Sequence, residues 1–285
     1  MVYTVTFNPA VDYIVHTKQL IAGATNRSDS EEIYFGGKGI NVSIVLSELG
    51  VKSKALGFVA GFTGEAIENG VAEKGIDADF VHLNEGFSRI NVKIKSSEET
   101  ELNGQGPKIT DEAIRELYAK LDEIQDGDTL VLAGSIPSSL PADIYERILE
   151  RLSGKKIRAV VDATKDLLLN VLKYRPFLIK PNNFELGEIF GVELKKREAV
   201  VPYARKLQEK GARNVLVSMA GEGAVLIDEN GEEYMSEAPK GKVVNAVGAG
   251  DSMVAGFIAG YLERKDYGYA FHKGLAAGSA SAFSE

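Results

Sequence analysis

The sequence predicts an α/β protein with a doubly wound, mostly parallel central sheet, helices on both sheet faces, and a small β-sheet lid. Short apolar, strand-like runs alternate with helical patterns along most of the 285 residues. Several of the helical patterns end at a glycine, and two β-rich regions interrupt the alternation. Because parallel strands need a long connection between them, regular strand–helix alternation favours a parallel sheet.

The predicted strands of the central sheet are short apolar runs bounded by polar or turn residues. Such runs are typical of strands that are buried on both faces of a sheet. In chain order they cover residues 2–7, 54–59, 129–133, 158–162, 177–180, 214–218 and 224–228.

The predicted helices show apolar residues at the three- and four-residue spacing of one helix face. Gly50, Gly75 and Gly211 follow three of them, at the position where glycine commonly ends a helix. The helices cover residues 40–49, 63–74, 111–124, 142–152, 183–190, 201–210 and 252–262.

Residues 12–35 and 87–105 are β-rich and show little helical periodicity. Residues 88–95 alternate between polar and apolar side chains, as in a strand with one covered face. We therefore expect a single domain, residues 1–285, into which these two stretches insert a discontinuous β lid. Such a flap can cover an active site, or it can simply extend the sheet.

The composition limits the possible partners. The chain is 44% hydrophobic and 26% charged, with a net charge of −8, which gives no reason to expect nucleic acid or a membrane as partner. It contains no cysteine, which excludes disulfides and thiolate metal sites, and its three histidines are not spaced as a metal pair. No apolar stretch has the length of a membrane span, so we expect a cytoplasmic protein.

Asp251 is the strongest catalytic candidate because it follows a small-residue turn where a helix is predicted to begin. The turn is formed by Gly248, Ala249 and Gly250. The free N–H groups and positive dipole end of a helix start form an anion site, and we expect a carboxylate there to stay ionised. It could then accept a proton from a hydroxyl beside a phosphate. The alternative is an ordinary aspartate in a first helical turn.

A second glycine-rich helix start lies at residues 36–41, where Gly37 and Lys38 precede Ile40 and Asn41. Its N–H groups could form another anion pocket, with Lys38 supplying positive charge. Together, the two helix starts suit a phosphorylated acceptor and a nucleotide donor. The alternative is a tight strand-to-helix turn with a solvated lysine.

Lys180, Asn182 and Glu185 follow an apolar strand, at the strand end where doubly wound sheets bind ligands. Asn182 and Glu185 could hold the waters of a hydrated Mg²⁺, since they share one helix face. Their spacing also matches a capping box, which is the interpretation that the sequence alone favours.

Two further segments allow both a functional and a structural interpretation. Ser218, Gly221 and Gly223 lie between two predicted strands, where they could approach a base or ribose or form a hairpin turn. Asp12 follows the first strand and could bind sugar hydroxyls or cap a turn. The sequence contains no P-loop, no dinucleotide-binding glycine motif after a strand, and no nucleophile-elbow motif.

Four motifs together resemble those of the ribokinase-like (PfkB) carbohydrate kinases, in the order that this family has them. They lie at residues 8–12 (NPAVD), 36–41 (GGKGIN), 180–185 (KPNxxE) and 246–251 (AVGAGD). The resemblance spans nearly the whole chain and implies ATP, Mg²⁺ and the ribokinase-like fold. It is closest to the branch that phosphorylates hexose phosphates.

The resemblance also implies a role for individual residues. The base would be Asp251, and the anion hole would consist of Gly248, Ala249 and Gly250. The acceptor would be held by Asp12, Gly37, Lys38, Asn41, Arg89 and Asn103. The nucleotide would contact Lys180, Asn182, Glu185, Ser218, Gly221, Gly223 and Gly250, with Asn182 and Glu185 reaching the metal through water.

The implied reaction is transfer of the γ-phosphoryl group of MgATP to the 6-hydroxyl of fructose 1-phosphate. A kinase of tagatose 6-phosphate is the alternative within the family, and a non-catalytic sensor of sugar phosphate or nucleotide is the alternative outside it. Family members commonly pair through their lids, which implies a homodimer. They also usually continue for another helix beyond residues 282–285, next to the adenine pocket.

Overall fold

The computed structural model describes residues 1–284 and contains two sheets. The strands are β1 (Val2–Thr6), β2 (Ala10–His16), β3 (Ser30–Gly36), β4 (Ser53–Ala60), β5 (Asp77–Ala78), β6 (Val81–Leu83), β7 (Arg89–Lys95), β8 (Glu99–Asn103), β9 (Thr129–Ala133), β10 (Arg158–Asp162), β11 (Leu178–Ile179), β12 (Asn214–Ser218), β13 (Ala224–Ile227) and β14 (Glu233–Ser236).

The α-helices follow the strand–helix alternation expected from the sequence. They are α1 (Lys38–Glu48), α2 (Gly61–Glu73), α3 (Asp111–Asp122), α4 (Ile144–Arg151), α5 (Lys165–Val171), α6 (Asn183–Phe190), α7 (Arg197–Glu209), α8 (Ala249–Arg264) and α9 (Tyr267–Phe283). No helix within residues 1–284 is long and apolar enough to cross a membrane.

The central sheet has ten strands, in the order β14-β13-β12-β11-β10-β9-β1-β4-β5, with β6 pairing to β4. Pairing is parallel from β12 to β5, while β13 and β14 are antiparallel and form one edge. The mostly parallel doubly wound sheet predicted from the sequence is therefore confirmed.

Helices cover both faces of this sheet, because successive strand residues point in opposite directions. Leu132 packs in the cluster that includes Leu117 of α3 and Leu207 of α7. Its neighbour Val131 packs in the cluster that includes Leu46 of α1 and Phe257 of α8. Burial on both faces explains why these strands read as continuous apolar runs.

A separate four-stranded sheet, in the order β3-β2-β7-β8, coincides largely with the two stretches predicted as the lid. It begins at Ala10 instead of residue 12, and β3 ends at Gly36 instead of residue 35. Its inner strands β2 and β7 are parallel, and both outer pairs are antiparallel. In this article we call it the lid sheet. Residues 17–29, predicted as part of the β-rich stretch, contain no strand and connect β2 to β3.

Several predicted bounds were wrong. The strand predicted at residues 177–180 is only Leu178–Ile179, and α7 begins four residues before the predicted start at 201, with Pro202 inside it. The sequence pattern did not predict α5, β14 or α9. Helix α9 consists mainly of small residues packed against α8, so it lacks the large apolar stripe that identifies an amphipathic helix.

Candidate active site

Asp251 lies in the first turn of α8, at the carboxyl-end edge of the parallel strands. Gly248 precedes the helix with φ of 81°, a left-handed conformation that glycine adopts readily. The Asp251 side chain is turned into the protein, since the residue is only 5% exposed, and its Oδ2 accepts a hydrogen bond of 2.8 Å from Nδ2 of Asn41 in α1. The two glycine-rich helix starts therefore meet through this bond.

Close packing between α8 and α9 fixes the position of Asp251 along the sheet. A Cβ on Gly256 would lie 2.7 Å from Cβ of Ala277, and one on Gly274 would lie 2.9 Å from the Met253 carbonyl oxygen. Both distances are shorter than real side-chain contacts, so the helices approach along glycine. Helix α8 is buried from Asp251 to Gly260, which removes the catalytic candidate from bulk water.

Asp162, at the carboxyl end of β10, is a site residue that sequence reasoning did not identify. It is buried, its Oδ2 accepts a 3.1 Å hydrogen bond from Nζ of Lys38, and its Oδ1 lies 3.5 Å from Nζ of Lys180. The signal was present, because the predicted strand at 158–162 ends on this carboxylate. The strand-end rule that selected Asp12 and Lys180 selects Asp162 equally well.

Burial and charge together set the protonation of Asp251. Its pKa is raised to about 6, first by desolvation and then by the negative charge of Asp162. The hydrogen bond from Asn41 and the charges of Lys38 and Lys180 act in the opposite direction. Desolvation outweighs these opposing contacts, so the pKa lies above that of an exposed aspartate, and the carboxyl is still mostly ionised at neutral pH.

Lys38 remains a strongly basic group at this site. Burial alone would lower its pKa, but the neighbouring charges of Asp162 and Asp251 outweigh burial and raise that pKa. The side chain is still partly exposed, so it is not fully enclosed by the acids that it contacts. Lys38 thus presents a stable positive charge beside the candidate base.

Lys180 and the start of α8 converge on the same point. A Cβ added to Gly250 would lie 3.1 Å from Nζ of Lys180, so the ammonium group rests against the turn formed by Gly248, Ala249 and Gly250. Free N–H groups at the beginning of a helix and an adjacent lysine together attract an anion. The start of α8 and Lys180 therefore form a positively charged site that suits a phosphoryl group.

The capping-box interpretation of Asn182 and Glu185 is confirmed. Asn182 Oδ1 accepts from the Glu185 backbone N–H, and Glu185 Oε2 accepts from the Asn182 backbone N–H, each at 2.8 Å. No cluster of three or more His, Cys, Asp or Glu side chains suited to a metal occurs among the described residues. The amide and carboxylate oxygens of Asn182 and Glu185 are of the ligand type that Mg²⁺ takes, and this ion keeps several waters and uses few protein ligands.

A cavity of about 540 Å³ extends from the start of α8 along the hairpin between β12 and β13. Asn182, Ser218, Gly221, Gly223 and Gly250 all line it. Its lining also includes the apolar residues Phe184, Val243 and Phe283. The hairpin interpretation of residues 218–223 is confirmed, and the cavity has the size and lining that suit a nucleotide.

The lid sheet carries the remaining candidates. Asp12 on β2 accepts a 2.8 Å hydrogen bond from Asn91, and Arg89 on β7 donates from Nε to the Asn8 carbonyl at 3.0 Å. Burial lowers the pKa of Arg89, with the nearby charge of Asp12 opposing that effect. Asn103 is exposed on β8, directly opposite Asn91.

The beginning of α1 therefore lies next to Asp251, with Gly37 just before the helix and Lys38 and Asn41 within it. Asp12 and Arg89 approach from the lid sheet. Asn103 lies farthest out on an edge strand.

Comparison with known proteins finds relatives that cover nearly the whole chain. A 1-phosphofructokinase of Bacillus subtilis is 51% identical over 285 residues, which cover 100% of this chain and 93% of the relative. A D-tagatose-1-phosphate kinase of Bacillus licheniformis is 38% identical over 286 residues, covering 100% and 93%. The crystal structure of phosphofructokinase-2 from Escherichia coli in complex with fructose-6-phosphate is 27% identical, with a TM-score of 0.91 and coverage of 99% and 93%.

The sequence model described as pfkB family carbohydrate kinase matches residues 5–285. With that match, the extent of the relatives and the shared fold, the chain belongs to the pfkB family of carbohydrate kinases.

Proposed function

We propose that this kinase transfers the γ-phosphoryl group of MgATP to the 6-hydroxyl of fructose 1-phosphate in the cytoplasm, giving fructose 1,6-bisphosphate. The observation that carries the proposal is the buried Asp251 carboxylate at a helix start, next to two lysines and a nucleotide-sized cavity. The choice of acceptor is supported by the relative named 1-phosphofructokinase, which is 51% identical over the whole chain.

Asp251 acts as the general base in this proposal. Asn41 holds Oδ2, so Oδ1 is the oxygen that takes the proton from the acceptor hydroxyl. A pKa of about 6 leaves the carboxyl mostly ionised at neutral pH and still basic enough to attract a proton. The hydroxyl oxygen is thereby activated next to the anion site at the start of α8.

Positive charge around the transferred group would come from the amides of residues 248–250, from Lys180 and from Lys38. Phosphoryl transfer depends on positioning and charge stabilisation more than on covalent chemistry of the protein, so this arrangement suits it. Bound MgATP supplies the phosphoryl group, and its Mg²⁺ neutralises phosphate charge. Asn182 and Glu185 would hold that ion through water.

The acceptor is placed between the lid sheet and α1. A bound phosphate would offset the desolvation that lowers the pKa of Arg89, since it would bring a negative charge to a partly buried guanidinium. Lys38 offers a second positive charge for the sugar phosphate. The hydroxyls would contact Asp12, Gly37, Asn41 and Asn103.

A tagatose phosphate is the second candidate acceptor, favoured by relatives named D-tagatose-1-phosphate kinase. A sensor that binds without reacting is disfavoured, because binding alone gives no reason to bury a carboxylate at the cost of raising its pKa.

The acceptor is tested with purified protein in a coupled ADP-release assay. We expect kcat/KM for fructose 1-phosphate to exceed those for the other three sugar phosphates by about tenfold or more. Fructose 6-phosphate and tagatose 6-phosphate carry the phosphate at the other end, and tagatose 1-phosphate differs in the orientation of one ring hydroxyl. Preference for either tagatose phosphate would replace the proposed acceptor. The absence of ADP release with every hexose phosphate would overturn the proposed function.

The pH dependence of kcat/KM tests the base. Asp251 must be ionised to accept a proton and its pKa is about 6, so kcat/KM falls about tenfold per pH unit below that value. Asn41→Leu removes a hydrogen bond that lowers this pKa and is expected to move the acid limb to higher pH. Asp162→Asn removes a charge that raises it and is expected to move the limb to lower pH.

Each variant serves as the control for the other. Both alter a direct neighbour of the reaction site, but they are expected to shift the pKa of Asp251 in opposite directions. The position of the limb is the readout, whatever happens to the absolute rate. If the acid limb of kcat/KM moved in the same direction in both variants, or moved in neither, a group other than Asp251 would be responsible for it.

The lid sheet is also the proposed homodimer interface. Ile33, Tyr13, Val92 and Leu102 are Cα partners on its four strands and form an apolar row across one face. Ile33 is 58% exposed and Leu102 is 72% exposed, although β-sheets generally cover such a face. The same face of a second copy is self-complementary to this row, as a two-fold dimer requires.

The dimer is tested by sedimentation of the Ile33→Asp/Leu102→Asp double variant. Two carboxylates facing their symmetry copies would repel each other and lose their apolar contact, so we expect a monomer where the parent protein is a dimer. Glu101→Ala, on the same strand but the opposite face, is the matched control and should leave the dimer intact. A monomeric parent protein, or a dimeric double variant, would contradict this interface.

A further inference from the structure

A polar row crosses the lid sheet on the face opposite the apolar row. Tyr34, Asp12, Asn91 and Asn103 are Cα partners on β3, β2, β7 and β8. Partner residues on neighbouring strands point to the same face, so their side chains lie side by side. Asn91 therefore lies between Asp12 and Asn103, the two residues of this row that are candidates for binding the sugar phosphate.

Asn91 fixes one oxygen of Asp12. Its Nδ2 donates a 2.8 Å hydrogen bond to Asp12 Oδ1, and the residue is only 6% exposed. Within residues 1–284, the Asn91 Oδ1 atom is buried without a hydrogen-bond partner. A buried unpaired acceptor is destabilising, and an apolar residue would suit a buried strand position better. The stability of the fold therefore does not explain why an asparagine occupies position 91.

The other oxygen of Asp12 faces the beginning of α1. A Cβ added to Gly36 would lie 2.9 Å from Asp12 Oδ2 and 3.7 Å from Asn41 Oδ1. Asn41 in turn donates to the candidate base Asp251. Asp12 Oδ2 is thus presented to the same space as Asn41, on the acceptor side of the base.

We propose that Asn91 is a positioning residue for acceptor binding, and this inference rests on the proposed function. The Nδ2 group can only donate, so it occupies Oδ1 and fixes the plane of the Asp12 carboxylate. Oδ2 is then held in place to accept a hydrogen bond from a hydroxyl of the sugar phosphate. Asn91 itself does not touch the acceptor.

The test measures kcat and both KM values for Asn91→Leu, a substitution of similar size without the donor. We expect the acceptor KM to rise by about five- to fiftyfold, as loss of an orienting hydrogen bond to a charged group would produce. The MgATP KM should change by less than about twofold, because the nucleotide cavity lies elsewhere. The thermal midpoint should stay the same or rise, since the unpaired acceptor is removed.

Asn91→Asp provides a second variant that keeps the side chain polar. It places a carboxylate against Asp12, so we expect its acceptor KM to rise at least as much as that of Asn91→Leu. Lys93→Leu is the matched control, because it exchanges a polar residue for leucine on the same strand and face, one pair farther from Asp12. Its acceptor KM should stay within about twofold of the parent value.

A double-mutant cycle separates positioning from a general structural effect. In the Asp12→Ala background, Asn91→Leu should add less than about twofold to the acceptor KM, because Asn91 acts only through Asp12. Equal effects in both backgrounds, an unchanged acceptor KM in Asn91→Leu, or a KM rise that accompanies lost thermal stability would each overturn this inference. A parent protein that phosphorylates no hexose phosphate would instead overturn the proposed function, and the inference with it.

Discussion

The site depends on two carboxylates and two lysines that are held together at the edge of a parallel sheet. Asp162 lies between Lys38 and Lys180, while Asp251 is buried beside them. Burying a charge is costly unless opposite charges and hydrogen bonds surround it. In this group the lysines provide the opposite charge for the carboxylates, and the carboxylates provide it for the lysines. The pKa of Asp251, raised to about 6, reflects a balance in which burial still outweighs the lysines.

The fold brings these four residues together because parallel strands all end at the same edge. Asp162 ends β10 and Lys180 follows the neighbouring β11, while Lys38 and Asp251 lie in the first turns of two helices that meet there. The small residues of α8 and α9 let those helices approach closely, which places the start of α8 next to Lys180. The cavity of about 540 Å³ reaches this edge at Ala249 and Gly250, and Asp12 of the lid sheet approaches it near Gly36 and Asn41.

Much of this arrangement could be predicted from the sequence, because strand periodicity and glycine-bounded helix starts are local signals. The position of Asp251 and its proximity to the Lys38 loop are examples. The strand-end rule would have placed Asp162 at this edge, but its pairing with both lysines depends on side-chain geometry that no local signal carries. The raised pKa of Asp251 could not be predicted either, because it follows from burial that depends on the packing of α9, whose small-residue sequence gave no clear pattern.

The central claim is that the Asp251 carboxylate removes the proton from the acceptor hydroxyl. The most direct measurement is kcat of Asp251→Asn with saturating fructose 1-phosphate and MgATP, since the amide keeps the shape and the Asn41 neighbour but cannot accept that proton. The account predicts a kcat lower by about 10²- to 10⁴-fold, with native circular dichroism and both KM values changed only a few-fold. A kcat within about tenfold of the parent enzyme would contradict it.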